Sequence, residues 1–245
     1  MGGSIDDVAA RVEQVRGRIH TAALRSGRLE TDVMLLAVTK THPPEAIRAA
    51  YAAGVRHFGE NRVEEAAGKR PALTELESVV WHMIGQLQSR KAARAGQLFS
   101  WVHSVDRAKV AAKLSEAAVA NGKHVMILLE VNLSGEMSKS GFDLSGWPDN
   151  KSQETEFFRS IESLAQLPNL VISGLMTIPP YDENSERSRP IFARLKSLQG
   201  RLMSKYSSLG WDQLSMGMSA DFEVAIQEGS TIVRLGTILF GARPG

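Results

Sequence analysis

Cysteine is absent from the 245 residues, which excludes disulfides, thiolate metal sites and cysteine nucleophiles and points to a reducing cytosol. Long apolar runs are lacking too. VMLLAV and VMILLEV are the longest, far short of the roughly 20 residues a membrane-spanning helix needs. Nor does one sign of charge dominate: 29 basic and 27 acidic residues are interspersed and leave a formal charge of +2. No basic arm or aromatic-basic stripe therefore stands ready for nucleic acid. Asp6 occupies the position where a myristoylation signal needs Ser or Thr, and no basic-then-apolar leader follows it. The expectation is a cytoplasmic protein with no membrane and no nucleic-acid partner.

What is present is the balance of an ordinary globular chain, 43% hydrophobic and 23% charged, at a length that suits one (β/α)₈ barrel over residues 1–245. Ser4 is placed to cap an opening helix whose apolar positions Ile5, Val8, Val12, Val15 and Ile19 recur at helical spacing up to Gly27. Eight short apolar runs follow, at 33–39, 55–58, 79–84, 99–104, 124–131, 170–175, 212–215 and 231–235. Helix-forming stretches separate them at 44–53, 62–70, 88–95, 106–121, 154–166, 186–207 and 219–228. This alternation predicts parallel strands covered by helices, in an α/β (β/α)₈ TIM barrel with an extra N-terminal helix; an open doubly wound sheet shares the local pattern. Residues 132–153 and 176–190, with their glycines and prolines, read as rim loops after strands.

Lys40 closes the first strand and precedes Thr-His-Pro-Pro, so its amine is expected near the barrel mouth, where desolvation lowers an ammonium pKa as a Schiff-base lysine requires. A solvated lysine beside a helix is the plainer alternative. Ser215, Met216, Gly217 and Ser219 follow the seventh strand and Gly236-Thr237 the eighth, the two loops from which barrels commonly build a phosphate site. Ser219, just before Asp221 and Glu223, reads as a helix N-cap where an anion is attracted; Gly236 permits close backbone approach, and Thr237 can donate. The alternative is a glycine turn, an ordinary cap and methionine filler. Arg234, among Ile232, Val233 and Leu235, needs an acceptor if it points into the barrel. Glu60, Asn61 and Arg62 follow the second strand; His82, on the third, is a candidate pocket residue, with a satisfied core histidine as the commoner reading. Glu136, Ser138 and Lys139 read as rim or solvated loop.

Together AVTKTHP, HFGENRVEE, WHMIGQLQSRK, SVDR, VNLSGEMSKSGF, GLMTI and LSMGMSADFEVAIQEGSTIVRLGTILFG closely resemble the YggS/PROSC family of pyridoxal-phosphate homeostasis proteins. The motifs run in family order from Val38 to Gly241. The resemblance implies a barrel like the N-terminal domain of alanine racemase, with pyridoxal 5′-phosphate as a Schiff base on Lys40. It also implies a pyridine-nitrogen contact from Arg234, phosphate contacts from Ser219, Gly236 and Thr237, and a ring contact from Asn61, with Ser215, Met216 and Gly217 as further lining.

An arginine at the ring nitrogen keeps it unprotonated, which weakens the cofactor as an electron sink. Alanine racemases share that arginine but add a tyrosine from a further domain, whereas Tyr51, Tyr181 and Tyr206 lie outside every cofactor motif here, Tyr181 alone in a rim loop. The leading expectation is a non-catalytic, monomeric protein that buffers pyridoxal 5′-phosphate or passes it to apo-enzymes, with no metal. A low-activity amino-acid racemase or lyase, and a Schiff-base aldolase using the same lysine on a sugar phosphate, are the alternatives.

Overall fold

The computed structural model describes residues 7–241. The helix at the start, α1 (Val8–Arg25), buries Val8, Val12, Val15, Ile19, Ala22 and Ala23 along one stripe, the face that the 3.6-residue period requires. The proposed cap at Ser4 and the apolar position Ile5 lie outside the described residues; Asp7 stands at the N-cap position without a side-chain cap bond.

Strands and helices then alternate as the apolar runs imply: β1 (Met34–Val38), α2 (Pro44–Ala52), β2 (His57–Glu60), α3 (Val63–Lys69), β3 (Val80–Met83), α4 (Ser89–Leu98), β4 (Trp101–Val105), α5 (Ala108–Ala120) and β5 (Val125–Asn132). After a two-residue strand β6 (Phe142–Asp143) come α6 (Lys151–Leu164), β7 (Leu170–Met176), α7 (Arg189–Lys205), β8 (Gln213–Ser215), α8 (Phe222–Gln227), β9 (Ile232–Leu235) and α9 (Thr237–Phe240). The sheet order is β4-β3-β2-β1-β9-β8-β7-β5, and a β4–β5 pairing closes it. With every pairing parallel, this is a TIM barrel of eight strands, and α1 packs outside it on α2, α8 and α9.

Three details depart from the sequence-based expectations. β2 begins two residues later than expected, pairing Val38 with Gly59, because Gly59 takes an inward position with no side chain and so hides from an apolar pattern. The 132–153 loop contains β6, which extends the sheet beside Val131 and Asn132, and the first residues of α6. Ser219 is not a cap: α8 starts at Phe222 with Asp221 at the N-cap position.

The core has two layers. Phe58, Val102, Leu129, Leu175, Leu214 and Val233 face the helices in the larger cluster, while Leu36, Val38, Ile84, Leu128, Met176 and Ile232 fill the barrel interior. Burial of each such aliphatic side chain contributes about 1.5–3 kcal/mol. Strand ends on the C-terminal side are thereby held rigidly, and the turns that follow them form the rim.

Candidate functional site

At that rim a cavity of about 380 Å³ is walled by Val38, Lys40, Asn61, Arg234, Gly236 and Thr237, by Met218, Ser219 and Ala220, and by His42, Ile84, Ile178 and Tyr181. Six residues scattered between positions 40 and 237 that the sequence marked thus share one wall. Ser215, Met216, Gly217 and His82 are not among its lining residues.

Lys40 leaves β1 in a turn whose next residue, Thr41, has φ 66, a left-handed conformation that a β-branched residue adopts only when its surroundings impose it. The surroundings here are carboxylates: the Thr41 N–H donates to Glu65 Oε1. The Lys69 ammonium lies behind the same turn, donating to Thr39 O at 2.7 Å, Glu60 Oε1 at 2.8 Å and Glu65 Oε1 at 2.6 Å. Thr39 Oγ1 donates to Glu60 Oε1 at 2.6 Å. All three ammonium protons are used, and one buried cation ties the residue before Lys40 to the residue before Asn61. Burial pushes the Glu60 carboxyl up, against the opposing hydrogen bonds of Lys69 and Thr39. Glu60 therefore stands behind the rim and not on it. Gly85 admits the Asn61 backbone beside it, since a Cβ there would lie 2.3 Å from Asn61 O.

Arg234 is 4% exposed. Its Nη1 donates to Ser215 O at 2.7 Å and Ser215 Oγ at 2.8 Å, and Nη2 donates to Thr177 O at 3.0 Å. Its Nε–H and second Nη2 proton have no acceptor among the described residues, and the side chain reaches the cavity. Burial pushes its pKa down to about 10, with Asp221 and Glu130 pulling the other way, so it remains charged at neutral pH. Ser215 and Gly217 support it from behind, the Gly217 carbonyl accepting the Arg234 backbone N–H at 3.0 Å, and Met216 is core.

The turn before α8 is shaped by Asp221, which accepts the Met218 N–H at 2.7 Å and the Ser188 hydroxyl at 3.1 Å. The Ser219 and Ala220 N–H groups, without an acceptor among the described residues, are left beside the cavity, across from Gly236 and the first turn of α9. Such a cluster of donors suits an anion.

Of the other candidates, Tyr181 joins the wall although it is 79% exposed. Tyr51 donates to Glu77 O and Tyr206 to Glu162 on the outer surface. Glu136, Ser138 and Lys139 bond among themselves outside the cavity wall. Among the described residues no group of three or more His, Cys, Asp or Glu is placed to hold a metal ion, and no helix is long and apolar enough to cross a membrane.

Sequence reasoning missed Lys69, which lies within the helix-forming stretch 62–70, and Glu130. The latter is a buried carboxyl at the end of β5 whose Oε2 has no hydrogen-bond partner among the described residues. Burial, with the Asp106 charge next, raises its pKa to about 7, against the pull of Arg234 and Arg107. The native state thus keeps a proton that the unfolded chain releases near the ordinary 4.5. This stability is fully present below that value and is lost as pH rises through about 7, a change of about 3 kcal/mol. Glu130→Gln is expected to flatten the fall in unfolding free energy between about pH 5 and pH 8. Urea titrations across that range check it, and a variant as pH-dependent as the parent contradicts it.

Residues 18–244 match the family model described as alanine racemase, N-terminal domain, which defines the class of fold. An alanine racemase of Clostridium difficile superposes with a TM-score of 0.72 at 17% identity, over 98% of this chain and 60% of that one, a likeness of fold alone.

The curated relatives are much nearer. Pyridoxal phosphate homeostasis proteins of Pseudomonas aeruginosa (45% identical, 96% of each chain covered) and Escherichia coli K12 (38%, 98% of each) match nearly end to end. PipY of Synechococcus elongatus, solved with pyridoxal phosphate bound, superposes with a TM-score of 0.81 at 37% identity, over 96% of this chain and 100% of that one. The chain belongs to the family of pyridoxal phosphate homeostasis proteins.

Proposed function

We propose that this chain binds pyridoxal 5′-phosphate in the rim cavity and serves intracellular cofactor homeostasis, holding the cofactor covalently on Lys40 without evident turnover. The observation that carries the reading is the shared wall: an amine at a strand tip, an unsaturated buried guanidinium and a cluster of open N–H donors face one cavity of about 380 Å³. The bound group supplies an aldehyde, a basic ring nitrogen and a dianionic tail, and each has a matching partner there. Lys40 is the nucleophile for the aldehyde. Arg234 offers N–H donors to the ring nitrogen while withholding its proton, since its pKa of about 10 lies well above the working pH. The Ser219 hydroxyl, the Ser219 and Ala220 N–H groups, Gly236 and Thr237 hold the tail, and Asn61 lies against the ring. Ser215 and Gly217 serve as backing for Arg234, and Met216 belongs to the core.

Relatives named pyridoxal phosphate homeostasis proteins support the homeostasis role; a single-domain, monomeric, cytoplasmic protein that passes cofactor to apo-enzymes completes the proposal. Protein loaded with the cofactor is expected to absorb in the visible range and to be labelled by borohydride on the Lys40 peptide; Lys40→Ala is expected to lose both signals. A label retained in that variant, or mapped to another lysine, refutes the assignment.

Tyr181 in the cavity wall favours a second reading, slow proton exchange at the α-carbon of an amino acid. Incubation of amino acids in deuterated water tests it, and no deuterium uptake with any of them eliminates it.

A further inference from the structure

Three histidines not used above lie nose to tail inside the barrel. His57 Nδ1 is 2.9 Å from His82 Nε2, His82 Nδ1 is 2.9 Å from His103 Nε2, and His103 Nδ1 is 2.9 Å from Ser215 Oγ. Ser215 Oγ in turn receives Arg234 Nη1. The row climbs from the start of β2 through β3 and β4, then crosses the lumen to β8 and β9. His82, His103 and Ser215 are fully buried, and Trp101 stacks on His82 at a centroid distance of 5.5 Å. The far end opens on a different space: His57 lines a groove of about 1160 Å³ at the N-terminal ends of β1, β2, β8 and β9.

Hydrogen-bond arithmetic gives this row a direction. A guanidinium only donates, so Ser215 Oγ is an acceptor toward Arg234. Its own proton has one acceptor within reach among the described residues, His103 Nδ1. His103 must then carry its proton on Nε2 and donate to His82 Nδ1, and His82 must donate from Nε2 to His57 Nδ1. Every buried donor and acceptor of the row is then paired. Running the imidazole protons the other way makes His103 Nδ1–H a donor to Ser215 and leaves the buried serine proton orphaned, an arrangement that native interiors avoid.

We propose that His57, His82, His103 and Ser215 form a one-way hydrogen-bond relay of neutral imidazoles that positions Arg234, holding two of its protons on Ser215 so that its Nε–H and remaining Nη2 proton face the cavity. These four are positioning residues; none touches the cavity. The relay is a property of the chain itself, and only its value for the ring nitrogen rests on the cofactor reading. Charge on the row is opposed from several sides: burial first, then neighbouring imidazoles, depress His82, and burial followed by the Arg234 charge depresses His103.

The test uses apo protein labelled with ¹⁵N in histidine and arginine. Two-bond imidazole spectra are expected to show His82 and His103 as Nε2–H tautomers with Nδ1 in the hydrogen-bonded acceptor range. Ser215→Ala is expected to redistribute the His103 tautomers and speed exchange of the Arg234 guanidinium protons, and Ser215→Thr to restore both. In loaded protein, Ser215→Ala is expected to weaken cofactor binding about tenfold, as loss of one hydrogen bond to a charged group implies, with the Lys40 label still formed.

An Nδ1–H tautomer at His82 or His103 in the parent protein overturns the relay, and this measurement stands even if Ser215→Ala does not fold. Unchanged His103 tautomers and Arg234 exchange in a folded Ser215→Ala overturn it as well. Failure of the cofactor reading would remove the Lys40 label and leave the apo spectra as described, so the two failures are distinct.

Discussion

Replacing Lys69 by methionine is expected to destabilise the fold by about 3–5 kcal/mol near pH 8, the cost of leaving a buried carboxylate without its counter-charge. Lys69 is 8% exposed and Glu60 fully buried, and the ammonium is the cation that both Glu60 and Glu65 share. Methionine fills the volume of the lysine stem, so lost packing is a small part of the effect. The pH dependence identifies the cause. Glu60 is already raised by burial, and without Lys69 it rises further, so a proton can neutralise it as the pH falls. The deficit relative to the parent is expected to be largest near pH 8 and to shrink toward about pH 5. Denaturant titrations at the two ends of that range measure it, and a deficit independent of pH would point to packing instead. Because Lys69 also holds the Thr39 carbonyl, the variant is expected to retain cofactor less well even where it is folded.

Gly174→Ala is expected to be at least as severe. Gly174 lies in β7 at φ 152, and a Cβ there would stand 1.8 Å from the Gln213 carbonyl oxygen, the backbone of the neighbouring strand with which Gly174 pairs. No rotamer relieves that overlap; β7 and β8 must separate. The register between β5 and β7 already shifts at this point, from Ile127 opposite Ile172 to Leu128 opposite Gly174, so the glycine terminates a bulge that re-aims the end of β7. Backbone displacement on this scale belongs among the largest single-residue effects, above about 4 kcal/mol. For a chain of this size that lowers the melting temperature by about 10 °C or more. Thermal unfolding of the purified variant reads it. Since β8 ends at Ser215, the displaced strand would also carry away the acceptors of Arg234, and a variant with the parent's melting temperature would show that the β7–β8 contact is looser than described.

How much of this was legible beforehand follows from what each signal depends on. All eight apolar windows became barrel strands, because a strand covered by helices must be apolar wherever it is buried, and that requirement is written locally. Lys40, Ser219, Arg234, Gly236 and Thr237 could be marked because each departs from its local pattern at a strand end: a cation ending an apolar run, a guanidinium within one, small residues after two more. The helix boundary at Asp221 was misplaced by preferring Ser219. Both residue types can cap; in the folded turn Asp221 holds the N-cap position, yet its carboxylate accepts the Met218 N–H and none from α8. His82 read more readily as a satisfied core histidine than as a pocket residue; its partners His57 and His103 sit 25 and 21 positions away, and no local spacing connects them.

By itself the sequence determined an alternation of strands and helices, the order of those elements and which polar residues stand at strand ends, since burial and side-chain chemistry act over a few neighbouring positions. Tertiary structure alone decided which of those residues share a cavity, that Lys69 braces Lys40 and Asn61 from behind, and that three imidazoles line up on Arg234. Those facts depend on closure of the barrel between β4 and β5 and on register between strands far apart in the chain, which no single segment encodes.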